Sequence, residues 1–139
     1  MLERLHEHIN LELRVNTRTD TIFVVTAIVF NFIMLGISSA VAGEAAGGED
    51  TTSMIVLIIT LCLSFLVNGI AITGLLTGRA TRQKLLRGLL KMYEDAEISQ
   101  YYDESLLTNY MRRYVMFVAI IDLLGVTAIL IPIVVLVTV

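Results

Sequence analysis

Apolar residues gather in three long blocks along the chain. Residues 21–43 and 51–78 carry no charge, and residues 115–139 carry only Asp122. Crossing a hydrocarbon core of about 30 Å takes roughly 20 residues of α-helix, and each block is long enough. A membrane-spanning strand would need only about 10 residues and would alternate in polarity, which these blocks do not. The pattern predicts three transmembrane helices.

The segment before the first block has the pattern of an amphipathic helix. Leu2, Leu5, Ile9 and Leu13 recur at helical spacing in this otherwise polar stretch. Such a helix would lie on the inner leaflet or pack against another helix on the same side of the membrane. The run NTRTDT, residues 16–21, is rich in capping and turn residues and predicts a break before the first span.

Two further apolar stripes occupy the long polar segment between the second and third blocks. They consist of Leu85, Leu86, Leu89, Leu90 and Tyr93, and of Leu106, Leu107, Tyr110, Met111 and Tyr114. Ser99 or Asp103 between them is a candidate helix N-cap. The stripes predict a helical hairpin that extends spans two and three beyond the membrane.

The predicted fold is therefore an all-α membrane protein with three transmembrane helices, an N-terminal amphipathic helix and a cytoplasmic helical hairpin. In chain order we expect the N-terminal helix at 1–20, the first span at 21–42, an acidic turn at 43–52, the second span at 53–77, the basic hairpin at 78–114 and the third span at 115–139.

Charge is strongly segregated along the chain. All ten Lys and Arg residues flank the predicted spans on one side, three before the first span and seven in the hairpin (Arg79, Arg82, Lys84, Arg87, Lys91, Arg112 and Arg113). Positive charge in short loops marks the cytoplasmic side of a membrane. We expect a plasma-membrane protein with a cytoplasmic N-terminus and an outside C-terminus. The seven hairpin residues either set this topology or bind anionic lipid headgroups.

The chain offers little chemistry for catalysis. His6 and His8 point to different faces of the N-terminal helix, and Glu3, His6 and Glu7 are too few ligands for a metal; a solvated face is the preferred interpretation. No histidine lies within reach of Ser38, Ser39, Ser64 or Cys62 in the spans, and no glycine-rich phosphate loop is present. We expect no enzyme, cofactor, metal or nucleic-acid partner.

Each predicted span contains one strongly polar residue. At about 1.5 Å per residue, Asp122 lies roughly 10 Å from the cytoplasmic start of span three, and Asn31 and Asn68 lie about 13–14 Å deep. The three side chains could hydrogen-bond between helices and fasten the bundle. Intramembrane acids are expensive to insert and often functional, so Asp122 could instead bind a cation or proton with the two amides as oxygen ligands. The sequence leaves both interpretations open.

Small residues in the spans indicate close helix packing. Gly74 and Gly78 form a GxxxG motif, Gly69 lies further along the same span, and Gly36 with Ala40 forms a small-xxx-small pair in span one. Such residues allow backbones to approach, within one chain or between chains.

Two functions fit these patterns. The first is a small homo-oligomeric membrane protein that conducts or senses an ion at a polar site in mid-membrane. The second is a non-catalytic accessory or assembly subunit of a larger membrane complex. The expected partners are membrane lipids and either further copies of the chain or another membrane protein.

Overall fold

Three long helices make up the described part of the protein. The computed structural model describes residues 2–47, 51–98 and 105–138, which form α1 (Leu2–Gly47), α2 (Thr51–Asp95) and α3 (Ser105–Thr138). Each helix contains a stretch that is long and apolar enough to cross a membrane. The three spans predicted from the uncharged blocks are confirmed in this sense.

The helices form one bundle in which α1 and α3 run parallel and α2 runs opposite to both. Asn16 of α1 contacts Gly78 of α2 at one end, and Asn31 contacts Asn68 nearer the middle. At the same two positions along the bundle, α3 contacts the other helices: Tyr114 contacts Asn16, and Gly125 contacts Asn68. We call the end that holds residues 2–20, 78–98 and 105–114 the basic end, because it carries all ten Lys and Arg residues.

The predicted break before span one is wrong, because α1 continues without interruption through NTRTDT. The hydroxyls of Thr17, Thr19 and Thr21 each donate to the carbonyl four residues earlier, at 2.8, 3.1 and 2.9 Å. Asn16 and Asp20 turn toward the other helices instead. The polar side chains that would otherwise cap a helix are thus satisfied within the helix or the bundle.

Outside the spans, α1 and α2 bury apolar residues at the basic end. Ile9, Leu86 and Leu89 are buried, and the ring of His6 lies 5.8 Å from the ring of Tyr93. His6 itself is half-buried, whereas Glu3 and Glu7 on the same predicted face are exposed. The side chains of Leu106, Leu107 and Tyr110, and the candidate caps Ser99 and Asp103, lie outside the described residues.

The C-terminus of α2 is capped by backbone hydrogen bonds around a residue in the left-handed conformation. Glu97 has a φ of 58°, the amide of Ile98 donates to the Tyr93 carbonyl at 3.0 Å, and the amide of Glu97 donates to the Glu94 carbonyl at 3.0 Å. This is the Schellman arrangement, with glutamate at the position that glycine usually occupies. In α3, by contrast, Pro132 is buried inside a helix that continues to Thr138.

Most of the apolar span surface faces outward. Only 28%, 22% and 22% of the most apolar stretches of α1, α2 and α3 are buried in the bundle. Large side chains such as Phe32, Phe65 and Leu123 are more than half exposed. A soluble monomer rarely exposes apolar patches of this extent, so lipid or other membrane helices must cover this surface.

Candidate functional site

Two polar levels cross the inside of the bundle. One, near the middle of the spans, contains Asn31 and Asn68, and the other, at the basic end, is centred on Asp20. Buried polar groups need hydrogen-bond partners, above all in lipid, where water cannot supply them. The hydrogen-bond partners of each buried polar group therefore indicate whether it can bind a further ligand.

Asn31 and Asn68 form a reciprocal amide pair between α1 and α2. The Asn31 Nδ2 donates to Asn68 Oδ1 at 2.8 Å, and the Asn68 Nδ2 donates to Asn31 Oδ1 at 2.9 Å. Each Nδ2 also donates to a carbonyl one turn earlier, Ala27 O at 2.9 Å and Ser64 O at 2.8 Å. Both amides thus use both N–H donors, and each amide oxygen already accepts a bond. This arrangement fastens α1 to α2.

The third helix meets the amide pair at a glycine. A Cβ on Gly125 would lie 2.9 Å from Asn68 Cγ and 3.0 Å from its Oδ1. Only a residue without a side chain lets α3 approach the amide this closely. Gly125 was not among the residues singled out from the sequence, although it follows Asp122 by less than one helical turn.

Asp122 is not part of the hydrogen-bonded amide pair. Its side chain is exposed on the outside of the bundle, and within the described part of the chain it makes no hydrogen bond. It lines two neighbouring grooves between α2 and α3, of about 340 Å³ with Asn68, Gly69 and Gly125, and about 260 Å³ with Arg79 and Tyr114. The structure therefore brings two of the three predicted polar residues together and turns the third outward.

At the basic end, Asp20 is the centre of a cluster that joins all three helices. It is 5% exposed and accepts a hydrogen bond from the Tyr114 hydroxyl of α3. The Asn16 Nδ2 lies 3.4 Å from Asp20 Oδ2, 3.3 Å from the Tyr114 hydroxyl and 3.1 Å from the Gly78 carbonyl oxygen of α2. Arg82 of α2 donates to the Thr17 hydroxyl beside it. The cluster fixes the relative positions of the helices at this end.

An apolar layer separates the two polar levels. It consists of Val24, Ala27, Ala71, Leu75 and Ile121, with the ring of Tyr114 at its basic end. Leu75 and Ile121 are completely buried. Because dispersion contacts fill this layer, the two polar levels are not joined by polar groups among the described residues.

The far half of the bundle holds two buried serines. Ser38 of α1 and Ser64 of α2 are 0% exposed, and neither hydroxyl has a hydrogen-bond partner in the described structure. Ser64 lies one turn from Asn68, whose amide donates to its carbonyl. These two hydroxyls continue the buried polar groups of the bundle beyond the amide pair.

The predicted packing glycines divide into two pairs. Gly74 packs under the Phe23 ring, where a Cβ would lie 3.2 Å from Cζ, and Gly78 faces Asp20, where a Cβ would lie 2.4 Å from Oδ1. The GxxxG motif therefore serves contacts within the chain. Gly36 and Gly69 have no atom within 4 Å of the position that a Cβ would take, and both lie open on the surface.

The seven Lys and Arg residues between the second and third spans also differ in their surroundings. Arg79 and Arg82 are half-buried, and Arg79 Nε lies 3.3 Å from Met111 Sδ. Arg113 is exposed and lies over the Phe117 ring, 6.0 Å from its centroid. The others are exposed (Lys84, Arg87, Lys91 and Arg112). No group of three His, Cys, Asp or Glu side chains suited to a metal occurs among the described residues.

Known proteins offer no guide to this site, since no family model, curated protein or solved structure matches the chain.

Proposed function

We propose that the chain is a homo-oligomeric membrane protein that conducts or senses a cation, with Asp122 at the contact between copies. The observation that supports this proposal is the position of Asp122 on the outer surface of an apolar bundle. An acid at mid-membrane costs about 2.5–3.5 kcal/mol on insertion scales, so such residues usually face protein or water. In a single copy Asp122 would face lipid. A second copy on the α2–α3 side would cover it.

The surface beside Asp122 suits helix association. Gly69 lines the same groove and has open space where a side chain would be. Without a hydrophobic driving force in lipid, small residues favour association because they let backbones approach closely. The open glycine and the unpaired acid thus share one face of the bundle.

Conduction through a single copy is disfavoured by the interior of the bundle. The apolar layer around Leu75 and Ile121 lies between the Asp20 cluster and the amide pair. The oxygens of Asn31 and Asn68 are engaged with each other. An ion path would therefore run between copies, along the surface that carries Asp122.

A second candidate function follows from the negative charge of Asp122. Residues 21–43, 51–78 and 115–139 contain one acid and no base. An accessory subunit would pair Asp122 with a Lys or Arg in a span of another protein. The helices of the basic end would bind the same protein outside the membrane. In this case Asp122 serves assembly, and no ion crosses.

The oligomeric state separates the two functions. We expect the purified chain, reconstituted in lipid nanodiscs, to give one mass that equals a fixed number of copies in native mass spectrometry. Asp122→Asn should keep this number, because an amide replaces the hydrogen bonds of a neutral acid. A wild-type chain that stays monomeric over the accessible concentration range would contradict the homo-oligomer and favour the accessory subunit.

The proposed orientation places the basic end in the cytoplasm and the opposite end, with Gly47 and Thr51, outside. Gly47 and Gly88 are exposed glycines with space for a side chain, so cysteine at either position should not disturb the fold. With Cys62 replaced by alanine, we expect an impermeant maleimide to label Gly47→Cys in intact cells and Gly88→Cys only after lysis. The reverse labelling pattern would overturn the orientation.

A further inference from the structure

A small chamber lined by both charged and apolar residues lies among the three helices at the basic end, and Asp122 is not part of its lining. Its volume is about 220 Å³, and two arginines from different helices line it, Arg82 of α2 and Arg113 of α3. Thr17 and Thr21 line it from α1, and Phe117 lines it from α3. Two like charges facing one space are unfavourable unless an opposite charge offsets their repulsion.

The chain itself supplies one such charge to the chamber. The Asp20 carboxylate lines it and accepts from the Tyr114 hydroxyl, with the Asn16 amide nearby. One carboxylate against two guanidinium groups leaves one positive charge at the chamber. A ligand with a single negative charge would balance it.

The Arg113 side chain lies beside an aromatic ring at the chamber. Its guanidinium carbon lies 6.0 Å from the centroid of the Phe117 ring. A cation–π contact of this kind favours a guanidinium near the ring and leaves its N–H donors available to a ligand. An arginine guanidinium presents these donors in the planar geometry that suits phosphate oxygens.

The volume of the chamber and its position along the helices suit a phosphate group. A water molecule takes about 30 Å³, so a chamber of about 220 Å³ has room for a phosphate ester of a few heavy atoms. Arg113 and Tyr114 directly precede the long apolar block of α3, and Asp20 precedes that of α1. The chamber thus lies where the polar surface of the bundle gives way to the apolar surface, at the depth of lipid headgroups.

We propose that this chamber binds a phosphate-bearing anion through Arg113 and Arg82. The phosphate belongs to the headgroup of an anionic lipid or to a soluble phosphate ester, and the chemistry of recognition is the same. Of the seven basic hairpin residues, these two bind the ligand, whereas the exposed Arg112 does not. The proposal does not depend on oligomerisation or on Asp122.

Adjacent arginines provide a matched test. Arg112 and Arg113 are both exposed and lie side by side on α3, but only Arg113 lines the chamber. The detergent-solubilised full chain, as wild type, Arg112→Gln or Arg113→Gln, is titrated with dioctanoyl phosphatidylglycerol, dioctanoyl phosphatidylcholine, glycerol phosphate and inorganic phosphate. Binding is followed by native mass spectrometry and by the shift in melting temperature. Circular dichroism verifies that each variant is folded.

We expect phosphatidylglycerol to bind the wild type and Arg112→Gln alike, and Arg113→Gln more weakly by about tenfold or more, because the variant loses a charge-assisted hydrogen bond; tenfold corresponds to about 1.4 kcal/mol. Phosphatidylcholine should bind more weakly than phosphatidylglycerol, because its choline brings a positive charge to the arginines. Binding of glycerol phosphate or inorganic phosphate with the same Arg113 dependence would identify a soluble ligand as the source. Equal losses in Arg112→Gln and Arg113→Gln, or no binding of any of the four probes, would overturn the site.

Discussion

Replacement of Asp122 by asparagine is expected to abolish cation- or pH-dependent flux while leaving the oligomer intact. The change nearly preserves the shape and hydrogen bonding of the side chain but deletes its ionisable group. In proteoliposomes loaded with a pH- or cation-sensitive dye, we expect the flux to fall by about tenfold or more, a change of at least about 1.4 kcal/mol in the barrier. Glu44→Gln removes an exposed acid at the far end of α1 and should leave the flux unchanged.

The leucine variant distinguishes an ionic role from a structural one. If Asp122 only fastens helices, Asp122→Asn should be nearly silent, because a neutral acid and an amide make similar hydrogen bonds. Asp122→Leu should then disrupt the assembly, because the polar groups of the neighbouring copy that bond to Asp122 would be left unpaired in lipid. Unchanged flux in Asp122→Asn together with lost assembly in Asp122→Leu would make Asp122 structural and remove the main support for ion conduction.

Valine at Gly125 should destabilise the bundle strongly. Even a Cβ at this position would lie 2.9 Å from Asn68 Cγ, and the Asn68 amide cannot move without breaking its bonds to Asn31 and Ser64. Overpacking of this kind typically costs about 1–3 kcal/mol. We expect a loss of that size in the free energy of unfolding, measured by denaturant titration in mixed micelles.

A second glycine in a span serves as the control for this prediction. Gly36 has nothing within 4 Å of a Cβ position. Gly36→Val should therefore change the stability of the single chain far less than Gly125→Val. Equal losses of unfolding free energy in both variants would show that valine itself disturbs the spans. They would contradict the tight contact between α3 and the amide pair.

The sequence predicts the spans and part of the polar core for simple physical reasons. Uncharged blocks must cross the membrane as helices because lipid cannot satisfy backbone polar groups. A constant rise per residue then places Asn31 and Asn68 at one depth, and in the structure these two side chains do bond to each other. Depth along a helix axis is readable from the sequence because it depends only on counting residues.

The direction of a side chain around the helix axis is harder to predict. Which side of α3 meets α1 and α2 depends on Gly125 fitting against Asn68, a contact that no spacing rule reveals. Asp122, three residues before Gly125 on the neighbouring part of that helix surface, lines the same groove but has an exposed side chain. Asp122 and Asn68 thus line one groove, but the hydrogen bonds of the amide pair do not include the acid.

The Asp20 cluster is hard to find in the sequence because its local signals are misleading. Asn16 and Asp20 belong to a run that resembles a capping segment, yet both side chains face other helices. Their four-residue spacing, which puts both on one helix face, together with the position of Tyr114 at the start of span three, is the available signal. Their partners on α2 and α3 are 62 and 94–98 residues away in sequence, beyond the reach of any local pattern.

Cross-linking of matched valines tests most directly whether copies of the chain meet at the Asp122 face. Val126 is exposed and lines the groove beside Asp122, whereas Val29 is exposed on α1 and lines none of the grooves described above. In native membranes, with Cys62 replaced by alanine, a short bis-maleimide should join Val126→Cys chains into dimers and leave Val29→Cys chains as monomers. Dimers at Val29→Cys without any at Val126→Cys would contradict an interface at Asp122.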